Sequence, residues 1–220
     1  MNDTFDETRQ IMATLNMTTY VNGSQAHDLY GFAWYKRHER KTAVYLDVGT
    51  RAGNSAIIMA SALKHQKTLE YGVEARVYTV DNYSLFVDKT KEEDIVTAKY
   101  NMSQFGIDDY LSIHVMDDIE FVNSLPDNSI DMVFDDSDHG YKQTYDRLNS
   151  YLSKLRDNSL VVVHDYYINY PGIVKAIDEV YNENRQIVFG LNYQNGFGWF
   201  FCKPNKDEHI FDPQGGHRKL

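Results

Sequence analysis

The sequence predicts an α/β fold: a doubly wound, mainly parallel seven-stranded sheet with an antiparallel last strand, plus an N-terminal helical cap. Three observations predict it. Short β-branched runs alternate with longer helical patterns, as in a parallel sheet covered by helices on both faces. Only about six residues, Asn192 to Phe197 with Asn195-Gly196 in the middle, separate the last two runs. That is too short for a parallel crossover, so this pair is a hairpin. The 220 residues, 42% hydrophobic and 25% charged, suit one globular domain with a modest cap.

Taken in order, residues 1–41 read as a separate helical segment capping one edge of the sheet. Ser24 is the N-cap of a helix whose apolar face runs through Ala26, Tyr30, Ala33 and Trp34, ending in the basic stretch Lys36 to Lys41; Gly31 counts against it. Residues 42–204 form the main domain. Its strands are Ala43 to Asp47, Arg76 to Asp81, Leu111 to Met116, Ile130 to Phe134, Ser159 to His164, Arg185 to Leu191 and Gly198 to Lys203. Helices are expected over Ser55 to Lys64, Lys91 to Phe105 (stopped by Gly106), Ile119 to Leu125, Lys142 to Leu155 and Gly172 to Asn184. In the fourth of these, Tyr145, Leu148, Leu152 and Leu155 follow helical steps, while Lys142, Asp146, Arg147 and Lys154 lie elsewhere. Residues 205–220 are a tail, loose from Asp212 to Leu220.

Composition narrows the function classes. Net charge is −10, from 22 basic and 32 acidic residues, with no block of Lys or Arg. Neither a nucleic-acid backbone nor an anionic membrane would be attracted. The partner expected is a small molecule. The first ten residues are polar and acidic, unlike a secretory signal, and no apolar stretch is long enough to span a bilayer. A cytoplasmic location is the default expectation. Cys202 is the single cysteine, so no disulfide forms within the chain; next to Phe200 and Phe201 it reads as a buried apolar group. Oligomeric state is left open, a homo-oligomer included.

The stretch from Val44 to Ser55 carries the most information. An apolar strand ends in Asp47, and a turn bearing Gly49 and Gly53 leads into a helix. Gly49 allows the backbone to approach a ligand closely, and Gly53 allows a tight helix start. In a doubly wound sheet, ligands bind at the carboxyl ends of such strands. The spacing Gly-x-x-x-Gly lacks the third glycine of a dinucleotide fingerprint, which counts against a nicotinamide dehydrogenase. Asp47 disfavours a pyrophosphate and favours a cation or a sugar hydroxyl. A ligand with an ammonium, a carboxylate and a ribose fits best. Asp81, with Asn82 beside it, ends the next strand where a ribose diol is accepted. Asp117 and Asp118 end the third strand, one of them as a helix cap.

Asp135-Asp136-Ser137-Asp138-His139-Gly140-Tyr141 follows the fourth strand, and His164-Asp165-Tyr166-Tyr167 follows the fifth. Crowded carboxylates repel unless a cation, backbone N–H groups or protonation stabilise them. Asp136, Asp138, His164 and Asp165 are the candidate ligands of a divalent metal: magnesium on oxygen donors, manganese or another transition ion if His164 takes part. Tyr141, Tyr166 and Tyr167 are placed to line a pocket.

These motifs, Asp47-x-Gly49-x-x-x-Gly53-x-Ser55, Asp81, and the run Ile130 to Tyr141, resemble those of class I S-adenosylmethionine-dependent methyltransferases. The nearest likeness is to the small-molecule O-methyltransferase-like group with catechol, macrocin and cephalosporin-hydroxylase-like members. It covers about residues 40 to 204 and implies a Rossmann-like sheet whose seventh strand is reversed. It also implies S-adenosyl-L-methionine as cofactor, held by Asp47, Gly49, Arg51, Gly53 and Ser55, by Asp81 and Asn82 at the ribose, by Asp117 or Asp118 near the adenine, and beside Asp136. Asp136 and Asp165 match the metal positions of the metal-dependent members, with Mg2+ or another divalent cation. His139 is the candidate base, and His164 the second. A small-molecule methyl acceptor, engaged through a hydroxyl, completes the reading. Three departures stand out: Tyr166 where catechol-type enzymes carry Asn, Ser137 where many relatives have Gly, and Asn158-Ser159 in place of a Gly-Gly turn. Two other functions suit the same residues: a glycosyltransferase holding manganese on Asp136-x-Asp138, against which the glycine loop counts, and a non-catalytic cofactor-binding module.

Overall fold

An apolar run that must be covered on both faces belongs at the centre of a sheet. Thr42–Val48 (β1) lies there, hydrogen-bonded between β2 (Glu74–Val80) and β4 (Ile130–Asp135). The computed structural model describes residues 9–11, 13, 23–37, 42–68, 74–84, 91–202, 210–212 and 216–218. With β3 (Leu111–His114), β5 (Leu155–Val163), β6 (Val188–Gln194) and β7 (Phe197–Cys202), the sheet order is β3-β2-β1-β4-β5-β7-β6. Pairing is parallel from β3 to β5, and β7 is antiparallel to both of its neighbours. The order reverses between β1 and β4, which opens the crevice where such sheets bind ligands.

Side chains alternate between two cores. Tyr45, Met132, Phe134, Leu160 and Val162 face α1 (Gly23–Arg37), α2 (Asn54–Thr68) and α3 (Lys91–Ser103). Leu46, Val48, Val133, Val161 and Val163 face α4 (Asp118–Ser124), α5 (Tyr141–Tyr151) and α6 (Pro171–Glu183). Cys202 is buried in this second core. The capping helix α1 packs on the first face rather than over an edge: Ala26, Leu29, Tyr30 and Ala33 are fully buried, and the Tyr45 hydroxyl donates to the Ala33 carbonyl at 2.7 Å. Ser24 lies inside its first turn, and Lys36 is buried rather than solvated. Residues 38–41 lie outside the described residues.

Three boundaries differ from expectation. Helix α5 ends at Tyr151, and Leu155 opens β5 instead of closing the helix. Leu152 and Leu155 keep a helical spacing by coincidence; the intervening turn is closed by the Lys154 N–H on the Tyr151 carbonyl. Strand β6 starts at Val188, because residues 184–188 turn back on the Asn184 carbonyl. The hairpin loop is only Asn195-Gly196, both at positive φ (50° and 83°), the geometry that matches strand twist. In the tail, Ile210–Asp212 and Gly216–Arg218 pair as a small antiparallel ladder, so that stretch is not wholly loose. No described helix is long and apolar enough to cross a membrane.

Candidate functional site

Strand register builds the site. Val80, Val48, Asp135 and Val163 are level across β2, β1, β4 and β5. The residues just beyond them, Asp81, Gly49, Asp136 and His164, therefore share one edge of the sheet. Backbone bonds tie that edge together: Gly49 N–H to Val80 at 3.0 Å, Asp136 N–H to Val48 at 2.8 Å and His164 N–H to Asp135 at 2.9 Å.

On the β1 side, Asp47 is fully buried. The Thr79 hydroxyl donates to its Oδ2, while Oδ1 has no hydrogen-bond partner. Burial pushes its carboxyl up to about 7; the Ser55 and Thr79 hydroxyls oppose this, and the Asp136 and Asp81 charges add to it. Ser55 is buried in the first turn of α2. Gly49 has φ 95°, and a Cβ there would sit 2.2 Å from the Asp136 carbonyl oxygen. A Cβ there would therefore run into the β4 loop, while Gly49 itself stays half-buried. Gly53, at φ 85°, packs on Met102 and gives the tight helix start. Asp81 holds two loops, accepting the Arg51 N–H at 2.9 Å and the Tyr83 N–H at 2.6 Å. Asn82 is exposed and accepts the Ser84 N–H. Asp117 is the helix cap, accepting the Glu120 N–H at 2.9 Å; Asp118 turns toward Arg147 instead.

On the β4–β5 side, a ligand atom from each of Asp136, His139 and Asp165 lies within 4.8 Å of the others. His139 Nε2 is 2.9 Å from Asp165 Oδ2, and its ring lies against Tyr170 with centroids 4.6 Å apart. His164 is 5% exposed, and its Nδ1 is 3.2 Å from Asp136 Oδ1 and 3.1 Å from Asp165 Oδ1. Burial alone would lower its pKa, but the two carboxylates outweigh burial and raise it to about 10. Burial tends to raise Asp165, yet His139 and His164 hold it well below the usual carboxylate range. Pairing with Asp165 raises His139, and burial raises Asp136.

The geometry revises four placements. The Asp138 carboxylate points into its own loop, onto the Gly140 N–H, and does not join Asp136. No Asp136-x-Asp138 pair is presented to a nucleotide sugar. His139 takes the third corner instead. Buried His164 contacts the two carboxylates and is too enclosed to serve as base to an acceptor. The Tyr141, Tyr166 and Tyr167 hydroxyls bond to Glu179, Asp178 and the Asn195 carbonyl, bracing α6 and the hairpin; Tyr170, not singled out in the sequence, packs on His139.

The raised His164 pKa has a testable consequence. A raised folded-state value means its contribution to stability is complete below about 6.5 and is lost as pH rises through about 10. In an NMR titration of the metal-free protein, the His164 ring is expected to stay protonated from about pH 6 to 8. A midpoint near the ordinary histidine value of about 6.5 would contradict the pairing.

The sequence profile of a methyltransferase domain matches residues 46–166, more than half of the chain and from the Gly49 turn through Asp165. The chain belongs to this methyltransferase-domain family. No curated protein matches it. Among solved structures, it is similar to an O-methyltransferase from Bacillus cereus in complex with SAH (17% identity, 90% of this chain and 89% of that one, TM-score 0.57). It is also similar to the O-methyltransferase TomG from Streptomyces achromogenes, involved in tomaymycin synthesis and solved with SAM (16%, 90% and 87%, 0.58). A third is the SAH-bound Podospora anserina methyltransferase PaMTH1 (14%, 91% and 86%, 0.60). At these identities the likeness is one of fold.

The methyltransferase domain also holds a buried network that sequence reasoning missed. Asp135, 1% exposed, receives Arg147 Nε at 3.0 Å and the Tyr151 hydroxyl at 2.9 Å. Arg147 also donates to the Asp138 carbonyl at 2.9 Å and lies 3.6 Å from Asp118. It thereby anchors the loop that carries Asp136 and His139. The available signal was spacing: Thr144, Arg147, Leu148 and Tyr151 form one buried helix face.

Proposed function

We propose that this methyltransferase domain transfers the methyl group of S-adenosylmethionine to a hydroxyl oxygen of a small molecule. The observation that carries the reading is adjacency: the Gly49 turn lies directly on the Asp136 carbonyl, so the cofactor loop and the acid–histidine cluster share one strand edge. S-adenosylmethionine supplies a sulfonium methyl that is already electrophilic. The chain's residues bind and orient. Asp47 Oδ1, a buried acceptor without a partner, and the Asp81 carboxylate at the end of β2 suit ammonium and ribose donors. The Asp136–His139–Asp165 cluster receives the acceptor hydroxyl and takes up its proton as the oxygen bonds the methyl carbon and the carbon–sulfur bond breaks, releasing S-adenosylhomocysteine. The same three residues would hold a divalent ion that favours the anionic oxygen. The SAH and SAM complexes of the B. cereus and TomG enzymes support the cofactor.

Thermal shift with S-adenosylmethionine, S-adenosylhomocysteine, NAD and UDP-sugars, each with and without magnesium or manganese, tests the binding. Stabilisation is expected with the first two only, about 2.7 kcal/mol at a hundredfold excess over Kd. A response confined to UDP-sugars plus manganese would overturn the reading. Label transfer from S-adenosylmethionine across phenols, catechols and sugar hydroxyls separates an enzyme from a binding module.

A further inference from the structure

We propose that the capping helix α1 belongs to the acceptor side of the site: through Gln25 and the β6–β7 hairpin it positions the loop that carries Asp165 and Tyr170. The clasp stands on observed contacts; its bearing on catalysis rests on the methyl-transfer reading.

This loop needs holding. Asp165 has φ 58°, in the left-handed region that a residue other than glycine keeps only where its surroundings enforce it. Its carbonyl accepts the Tyr167 N–H at 2.7 Å, and the Tyr167 carbonyl accepts the Tyr170 N–H at 2.9 Å. The same few peptides therefore set the Asp165 carboxylate beside His139 and the Tyr170 ring against it. Bonds this local shape the loop but do not fix its place over the sheet edge.

The hairpin fixes that place. The Gly196 carbonyl accepts the Tyr166 N–H at 2.9 Å. The Tyr167 ring fills the space that a Cβ would take at Gly196, and the Tyr166 ring lies 2.7 Å from where one would stand at Gly198. Tyr193 stacks on Tyr166 from the neighbouring strand, with centroids 5.9 Å apart. Two successive tyrosines are thus seated on two glycines, and a side chain at position 198 would push Tyr166, the residue next to Asp165.

Helix α1 in turn holds the hairpin tip. Gln25 is 2% exposed, and its Nε2 donates to the Asn195 carbonyl at 2.8 Å and lies 3.4 Å from the Tyr167 hydroxyl. That hydroxyl reaches the same carbonyl at 3.3 Å, and Asn195 Nδ2 donates to Asp28 at 2.7 Å. A buried glutamine is uncommon, and this amide joins three segments far apart in the chain. The cofactor side is tied by other means: Gly49 to β2, Asp136 to β1, and Asp81 to the Arg51 and Tyr83 loops.

The test uses the full isotope-labelled chain. Backbone NMR shifts and couplings read φ at Asp165, and calorimetry reads S-adenosylhomocysteine binding. The parent is expected to show a left-handed Asp165. Gln25→Ala, Gln25→Met and Gly198→Ala should lose or average that signature over residues 165–170. Residues 47–55 should keep their parental shifts, and Kd should stay within about 2-fold. Gln25→Met keeps the bulk and removes the donor, so a Gln25→Met chain with the parental loop would reduce Gln25 to packing and overturn the proposal. The same holds for a parental loop in Gln25→Ala, for changes spread over the whole sheet, or for a parent without the left-handed signature; the two Gln25 variants carry the test if Gly198→Ala does not fold. With any hydroxyl acceptor found by label transfer, kcat should fall roughly 10- to 100-fold in these variants while KM for S-adenosylmethionine holds. A parental kcat would overturn the link to catalysis. Failure of the parent to bind S-adenosylhomocysteine would overturn the methyl-transfer reading and leave the clasp standing.

Discussion

Replacing Arg147 by methionine is expected to destabilise the fold by about 3–5 kcal/mol, because it leaves the Asp135 carboxylate buried without its counter-charge. For a chain of this size, each kcal/mol lowers Tm by about 2–4 °C, so a fall of roughly 6–20 °C should appear in a thermal melt. The geometry behind this is a guanidinium in contact with Asp135 at 3.0 Å and the Asp138 carbonyl at 2.9 Å, with both paired side chains under 5% exposed. The double variant Asp135→Asn, Arg147→Met should recover part of the loss, since an amide keeps the acceptor for Tyr151 without a stranded charge. A single variant melting within about 2 °C of the parent would show that the network contributes little.

Asp81→Ala is expected to weaken S-adenosylhomocysteine binding by about 1.5–3 kcal/mol, the worth of a charged hydrogen bond, or roughly 10- to 150-fold in Kd. Two losses combine. The ribose loses its acceptor, and the loops bearing Arg51 and Tyr83 lose the carboxylate that ties their N–H groups. Asp81→Asn should lie between parent and alanine, because an amide oxygen still accepts one loop N–H. Calorimetry reads both, and unchanged affinity in Asp81→Ala would remove Asp81 from the cofactor site.

Much of this architecture was legible before any coordinates. The alternation of apolar runs and helical patterns yields the seven strands in their places, since strand and helix periods are local properties of consecutive residues. Asn195-Gly196 announces the reversed strand because only residues tolerant of positive φ make so tight a turn. Gly53 likewise reads directly as a tight helix start. Boundaries fail where local patterns agree by accident, as with Leu152 and Leu155, or where a backbone carbonyl such as that of Asn184 diverts the chain.

The acid-rich loops show the other limit. Composition and position alone bring Asp81, Asp136 and Asp165 to one edge, because strand ends in a parallel sheet must converge there. Which way each carboxylate turns depends on partners distant in sequence. Asp138 is drawn onto its own loop while Asp136 meets His164, 28 positions away. Arg147 reads as a surface charge until Asp135 is seen beneath it. Periodicity and turn chemistry act between near neighbours, so they are written in the chain and specify strands, helices and the sheet edge that carries the site. Ion pairing and burial act across space between residues far apart in the chain, and they alone select His139 over Asp138, enclose His164 and bury Arg147.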